Sequence, residues 1–221
     1  MSKLHSFFGR RQFVGAVVAL AAGLGVASVA LGQEMVEGKQ YLRMKQPQLV
    51  ETGNKIEVIE FFSYACPHCA DLEPVLSAWV KKLPPDVAFK RVPVMFQDRW
   101  TAMAKIYYTL DAMGEEKLSP EVFNAFHKQG TSLWDAKTFF DWAASKGLDR
   151  KKVEDVYNSF AVSGKMSRAM QLAKAYNIQS VPTLVVDGKF VTGADKVGSH
   201  AAIPAALDAL IAKARAERTK G

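Results

Sequence analysis

Cys66 and Cys69 stand three positions apart with Pro67 and His68 between them, and the chain has no other cysteine. A pair so spaced can close a small disulfide ring. The chemistry of such a ring is thiol-disulfide exchange, in which a thiolate attacks one sulfur and displaces the other. If the pair opens a helix, Cys66 lies near unpaired backbone N–H groups and the positive end of the helix dipole, both of which favour thiolate over thiol. Cys66 is then the exposed nucleophile, and Cys69, one turn in, resolves a mixed disulfide. His68 can add to the effect, charged or neutral. Whatever lowers the Cys66 pKa also makes that sulfur a better leaving group, so the expected direction is oxidation of other proteins.

Two other readings of the pair are weaker. Tetrahedral zinc takes four protein ligands in a structural site and three in a catalytic one. Only two cysteines are present, and His127 and His200 lie far off in sequence on helical segments, so no metal and no cofactor is expected. An inert pair of core cysteines sits poorly with Pro67 and His68, which suit a turn.

Glu60 is the second residue with chemistry to do. It interrupts an apolar strand on the same alternating face as Val58 and Phe62, and a buried carboxylate is costly and has a raised pKa. Near the thiols it can accept the proton of Cys69 as that sulfur attacks. The alternative is an ion pair with Lys90 or Arg91 on the next strand. Pro182, after Val181, reads from the residues alone as a proline preceding a strand.

Positioning these groups needs a strand that runs into a helix. Ile56–Phe62 is apolar on both alternating faces, as strands covered on two sides are. Pro67 suits the first turn of the following helix, whose apolar face runs through Ala70, Leu72, Val75, Leu76, Trp79, Val80 and Leu83. Pro74 should kink it, and Pro84 and Pro85 end it. Val87 to Phe96 reads as a second central strand and Tyr41 to Met44 as an edge strand after a loose polar leader.

Beyond Asp98 the pattern turns helical. One helix covers Ala102 to Met113; a second is opened by Ser119 and Pro120 and stops at Gly130. Asp135 caps a third, and Asp149 caps a fourth that carries Val153, Val156, Tyr157 and Phe160 inward. Four helices without a strand are too many for a simple crossover, so they form a subdomain inserted into an α/β fold. A helix from Ser163 or Gly164 to Tyr176 returns the chain to the sheet. Thr183–Val186, Asp187-Gly188 and Lys189–Thr192 read as a hairpin. Ala201 to Ala214 is a closing helix with a frayed basic tail.

Length and charge bound the rest. The 221 residues suffice for a full core, and the chain carries a net charge of +7. Residues 1–32 have the order of a signal peptide: Lys3, Arg10 and Arg11, then an uncharged run from Phe13 to Leu31, then small residues at Ser28, Ala30 and Gly32. A retained membrane anchor is the alternative. The Arg10–Arg11 pair also fits a twin-arginine signal. Removing these three positive charges with no acid takes the net charge from +7 to +4. Lys and Arg are spread along the chain with no nucleic-acid motif beside them, so no nucleic-acid partner is expected. Export places the pair where a disulfide can persist.

With EFFSYACPHC at Glu60 to Cys69, SVPT at Ser180 to Thr183, VDGKF at Val186 to Phe190 and the helical insertion, the chain resembles the thioredoxin superfamily, and within it the periplasmic thiol:disulfide oxidase family of DsbA. The resemblance implies a thioredoxin fold in two parts, residues 33–97 and 163–221, around a helical insertion at 98–162. It implies that Cys66 is the nucleophile, Cys69 the buried resolving thiol and Glu60 the buried acid. It implies that Pro182 is a cis-proline packed against the disulfide, leaving the Val181 backbone free to pair with an extended substrate. The implied partners are unfolded or partly folded exported proteins with free cysteines and a membrane quinone reductase of the DsbB type, and the implied state is a periplasmic monomer. A reductase or isomerase with the same site, or a chaperone-like binding module, are the rival readings.

Overall fold

The computed structural model describes residues 35–219. The export segment expected at residues 1–32 lies outside the described residues. Five strands form one mixed sheet in the order β1-β5-β4-β2-β3, with β1 Leu42–Arg43, β2 Ile56–Phe62, β3 Val87–Pro93, β4 Thr183–Val186 and β5 Phe190–Thr192. β2 runs parallel to β3 and antiparallel to β4, and all of its residues are buried. Its alternation divides the core. Ile56 and Val58 join one apolar cluster, and Ile59 and Phe61 join another on the opposite face.

The first cluster is closed by Leu72, Leu76 and Trp79 of α1 (Pro67–Val80) with Ile203, Leu207 and Leu210 of α8 (Ile203–Arg218). The second is closed by Met103, Ile106 and Leu110 of α2 (Trp100–Ala112) with Val162, Ala169 and Leu172 of α6 (Phe160–Ala175). Between them come α3 (Ser119–His127), α4 (Ala136–Ser145) and α5 (Arg150–Tyr157), and α7 (Ala194–Val197) follows β5. The result is a thioredoxin-like α/β sheet with a large helical region inserted between β3 and β4.

Caps decide the helix boundaries. Asp135 Oδ1 accepts from Thr138 N at 2.8 Å and Asp149 Oδ1 from Lys152 N at 2.7 Å, as expected from their positions. Ser159 Oγ does the same for Val162 N at 3.2 Å and starts α6 at Phe160, three residues before the expected Ser163. That restart breaks the helical phase after Tyr157, so Phe160 is not the inward i+7 residue of α5 but is 96 % exposed. Ser119 and Pro120 open α3 as expected, and the Ser119 hydroxyl is used elsewhere.

Other differences have similarly local causes. β3 stops at Pro93 and not at Phe96, with Val94 N making a last bond to Phe62 O at 2.8 Å. The leader is not loose from Val36 onward. Gly38 N donates to Tyr41 O at 2.8 Å, and Tyr41 packs edge-on against Phe190 at 5.5 Å. α8 continues past Ala214 to Arg218 because Arg215 bonds Asp86 at 2.7 Å and Arg218 bonds the buried Asp187 and the Asn54 carbonyl. The hairpin turn places Asp187 at φ 54° and Gly188 at φ 64°, the left-handed pair that a type I′ turn requires.

Candidate active site

β2 ends at Phe62, and Ser63, Tyr64 and Ala65 turn the chain into α1, for which Cys66 is the N-terminal cap. The Cys66 side chain makes no capping bond, so its sulfur stands at the open helix N-terminus with unpaired N–H groups around it. The turn is held from inside and outside. Cys66 N donates to Ser63 O at 3.0 Å and Ala65 N to Ser63 Oγ at 3.2 Å. The Tyr64 hydroxyl lies 2.6 Å from Ser119 Oγ, and the Tyr64 carbonyl lies 2.7 Å from His127 Nε2, both on α3. The insertion therefore grips the segment that presents the thiols.

Both cysteines are free thiols; Cys66 is 6 % exposed and Cys69 fully buried. The expected exposed nucleophile is thus largely covered. Pro67 and His68 are the exposed residues of the motif, while the Val181 carbonyl sits 3.5 Å from Cys66 Sγ. The Val181–Pro182 peptide is cis. Val181, distant in sequence, thus lies against Cys66.

The two sulfurs are driven apart electrostatically. The Cys69 thiol, followed by the backbone N–H groups of Cys69 and His68 and the charge of His68, pulls Cys66 down to about 6 against the cost of burial. Burial pushes Cys69 far up, and the hydrogen bond to Cys66 and the charge of Glu60 act the same way. His68 contributes, but Cys69 itself does more.

Glu60 does pair with Arg91, the alternative raised for it, and it remains buried near the thiols. Arg91 Nε is 2.7 Å from Glu60 Oε2, and its other arm is 2.5 Å from Glu73 Oε2, which Ser77 Oγ also supports through Oε1 at 2.5 Å. Burial nonetheless raises Glu60 to about 7, because one guanidinium serves two acids. Glu60 Oε1 has no hydrogen-bond partner among the described residues. Lys90 instead serves Glu57 and Glu51. Glu73 was missed in the sequence although a signal existed. Cys69, Leu72, Glu73 and Leu76 form the buried stripe of α1 at i, i+3, i+4 and i+7, and a carboxylate in such a stripe needs a partner.

Two hollows flank the motif. A cavity of about 620 Å³ between α1 and α3 is lined by Pro67, Asp71, Asn124, His127 and Lys128 among others. A groove of about 490 Å³ on the opposite side is lined by His68, Ser180, Val181, Pro182, Asp195 and His200. A covered, acidic thiol beside a buried neutral one, with a carboxyl group titrating near neutrality, can make and break a disulfide.

The chain is similar in sequence and fold to known proteins. Residues 57–201 match the model of the DSBA-like thioredoxin domain. The thiol:disulfide interchange protein DsbA of Burkholderia cepacia is 44 % identical over 194 residues, covering 87 % of this chain and 90 % of that protein. The crystal structure of Pseudomonas aeruginosa DsbA superposes with a TM-score of 0.80 at 39 % identity, covering 84 % of this chain and 97 % of that one. Reduced DsbA1 from Neisseria meningitidis gives a TM-score of 0.77 at 27 % identity, over 86 % of this chain and all of that one. On the family model, the sequence identity and the fold together, the chain belongs to the DsbA family of thiol-disulfide oxidoreductases in the thioredoxin superfamily.

Proposed function

We propose that Cys66 is the nucleophilic sulfur, Cys69 the resolving one, and that their disulfide is donated to proteins folding after export. The protein is a thiol-disulfide oxidoreductase of the periplasm, and its family identity implies contact with exported substrates and a membrane reoxidant. The observation that carries the donor assignment is the placement of the two thiols: Cys66 caps the N-terminus of α1, where the Cys69 thiol and backbone N–H groups hold it down, and Cys69 is fully buried and pushed up. A stabilised Cys66 thiolate favours the reduced form, and so makes the disulfide a strong oxidant.

A substrate thiolate attacks Cys66 Sγ, the Cys66–Cys69 bond breaks, and Cys69 leaves as a thiolate that takes up a proton. A second substrate thiolate attacks the substrate sulfur of the mixed disulfide and releases the Cys66 thiolate. The substrate loses two electrons and the protein gains them. Glu60 is the group that takes the Cys69 proton when the pair is reoxidised, supported by its burial and its titration near neutrality. Val181, beside the sulfur, offers backbone to an extended substrate. Pro67 and His68 shape the exposed edge of the pair, and Pro182 backs it. The reoxidant is a quinone reductase of the DsbB type, and the protein works as a monomer.

The test is the equilibrium of the purified protein in graded glutathione buffers, with the Cys66–Cys69 disulfide read by thiol alkylation. A pair that stays reduced until the buffer is strongly oxidising is a donor. A pair already oxidised in a strongly reducing buffer makes the protein a reductase and overturns the proposal.

A further inference from the structure

The groove beside the thiols contains a group that the exchange chemistry does not use. His200 opens a short 3-10 turn, His200–Ala202, ahead of α8, and its ring centroid lies 6.2 Å from that of His68. The two imidazoles reach the groove from different elements, and both line it together with Ser180, Val181 and Pro182. His68 is exposed and His200 half-buried, so a segment lying along the groove meets both.

The other charges at this groove come from α7. Asp195 lines it with a carboxylate 73 % exposed, and Lys196 Nζ already stands 3.2 Å from that carboxylate. The Ser180–Pro182 segment brings no charge, and Asp71 of α1 lines the cavity on the other side of the motif. Imidazole is the side chain that gains charge between about pH 8 and pH 5. A proton on either ring gives the groove a net positive charge next to the reacting sulfur, with its single acid already paired.

We infer that His200 is a specificity-determining residue: with His68 it makes the groove favour substrate segments that carry a carboxylate side chain beside the reacting cysteine, increasingly as the pH falls. The inference rests on the disulfide-donor reading above. Charge complementarity of this kind sets partner preference and encounter rate rather than the chemistry itself.

The test uses two peptides of one sequence, each with two cysteines, differing only in Glu or Lys next to the first. Their oxidation by the oxidised wild-type protein, His200→Gln and His200→Lys is followed at about pH 5.5 and about pH 8. The quantity read is the Glu-to-Lys ratio of rates, compared between proteins so that the intrinsic reactivity of each peptide thiol cancels. At the lower pH the ratio should be about threefold higher for wild type than for His200→Gln, the size of an exposed charge pair. At the higher pH the two should converge, while His200→Lys, whose charge persists, should keep the preference. Equal ratios for wild type and His200→Gln at both pH values, with disulfide still transferred, overturn the inference and leave the donor reading standing. Failure of all three proteins to oxidise either peptide overturns the donor reading, and the inference with it.

Discussion

Glu60 and Arg91 stand opposite each other in the register of the parallel β2–β3 pair, and Arg91 Nε is 2.7 Å from Glu60 Oε2. The same guanidinium also serves Glu73, so two buried carboxylates share one cation beneath the thiols. The shortfall of positive charge lets burial prevail at Glu60, which holds its proton up to about 7.

This gives stability a definite pH dependence. The ordinary value is 4.5, so between there and about 7 the native state binds more protons at Glu60 than the unfolded state does. Stability from this group is fully present at low pH and is lost as the pH rises through about 7. In the oxidised protein, where the cysteines do not titrate, the urea midpoint should fall across this window, and Glu60→Gln should flatten the slope. A variant with the full wild-type slope would place the proton elsewhere.

Arg91→Met leaves both acids buried without their cation and should destabilise by about 3–5 kcal/mol, the cost of breaking a buried pair from one side. Adding Glu60→Gln to Arg91→Met should recover part of that loss. If the double variant is no more stable than Arg91→Met, the two residues are not coupled.

Cys66 has the opposite sign. Its ordinary value of 9.0 is lowered to about 6 in the folded dithiol. Its contribution to the reduced form is therefore complete above pH 9 and lost as the pH falls through about 6. The melting temperature of reduced protein, relative to oxidised, should climb between those values, and Cys66 alkylation should titrate near 6. A gap that does not change with pH would show that the Cys66 thiolate is not stabilised by folding.

Gly188→Ala tests the hairpin that brings β4 and β5 to the sheet. The position has φ +64°, and an added Cβ would come within 2.1 Å of the Gln48 carbonyl oxygen. Gly198 has φ +89° with no atom of the described residues within 4 Å of such a Cβ. Gly198→Ala should cost about 1 kcal/mol or somewhat more, from backbone strain alone, and Gly188→Ala clearly more than that. Similar losses from the two substitutions in urea titrations would argue against the close approach of Gln48.

Much of the site was legible because its signals are local. Strand β2, the proline-opened helix, the Asp-Gly hairpin and the Asp135 and Asp149 caps are each written in a few neighbouring residues, and each formed where those residues direct. The start of α6 was misread because Ser159 and Ser163 compete as caps, and only packing of Val162 into the core selects the earlier one. The length of α8 was misread because Arg215 and Arg218 find acids 129 and 31 residues away.

The sequence by itself determined the chemistry: two thiols at one-turn spacing on a helix start, with an acid in the strand that leads to them. Tertiary structure alone decided how that chemistry is tuned. It set Val181 against Cys66, hung Tyr64 from Ser119 and His127, divided Arg91 between Glu60 and Glu73, and brought His200 to His68. The physical reason is range. Helix starts, caps and turns are settled by bonds between near neighbours, whereas burial, charge sharing and groove lining depend on which distant segments the sheet brings together.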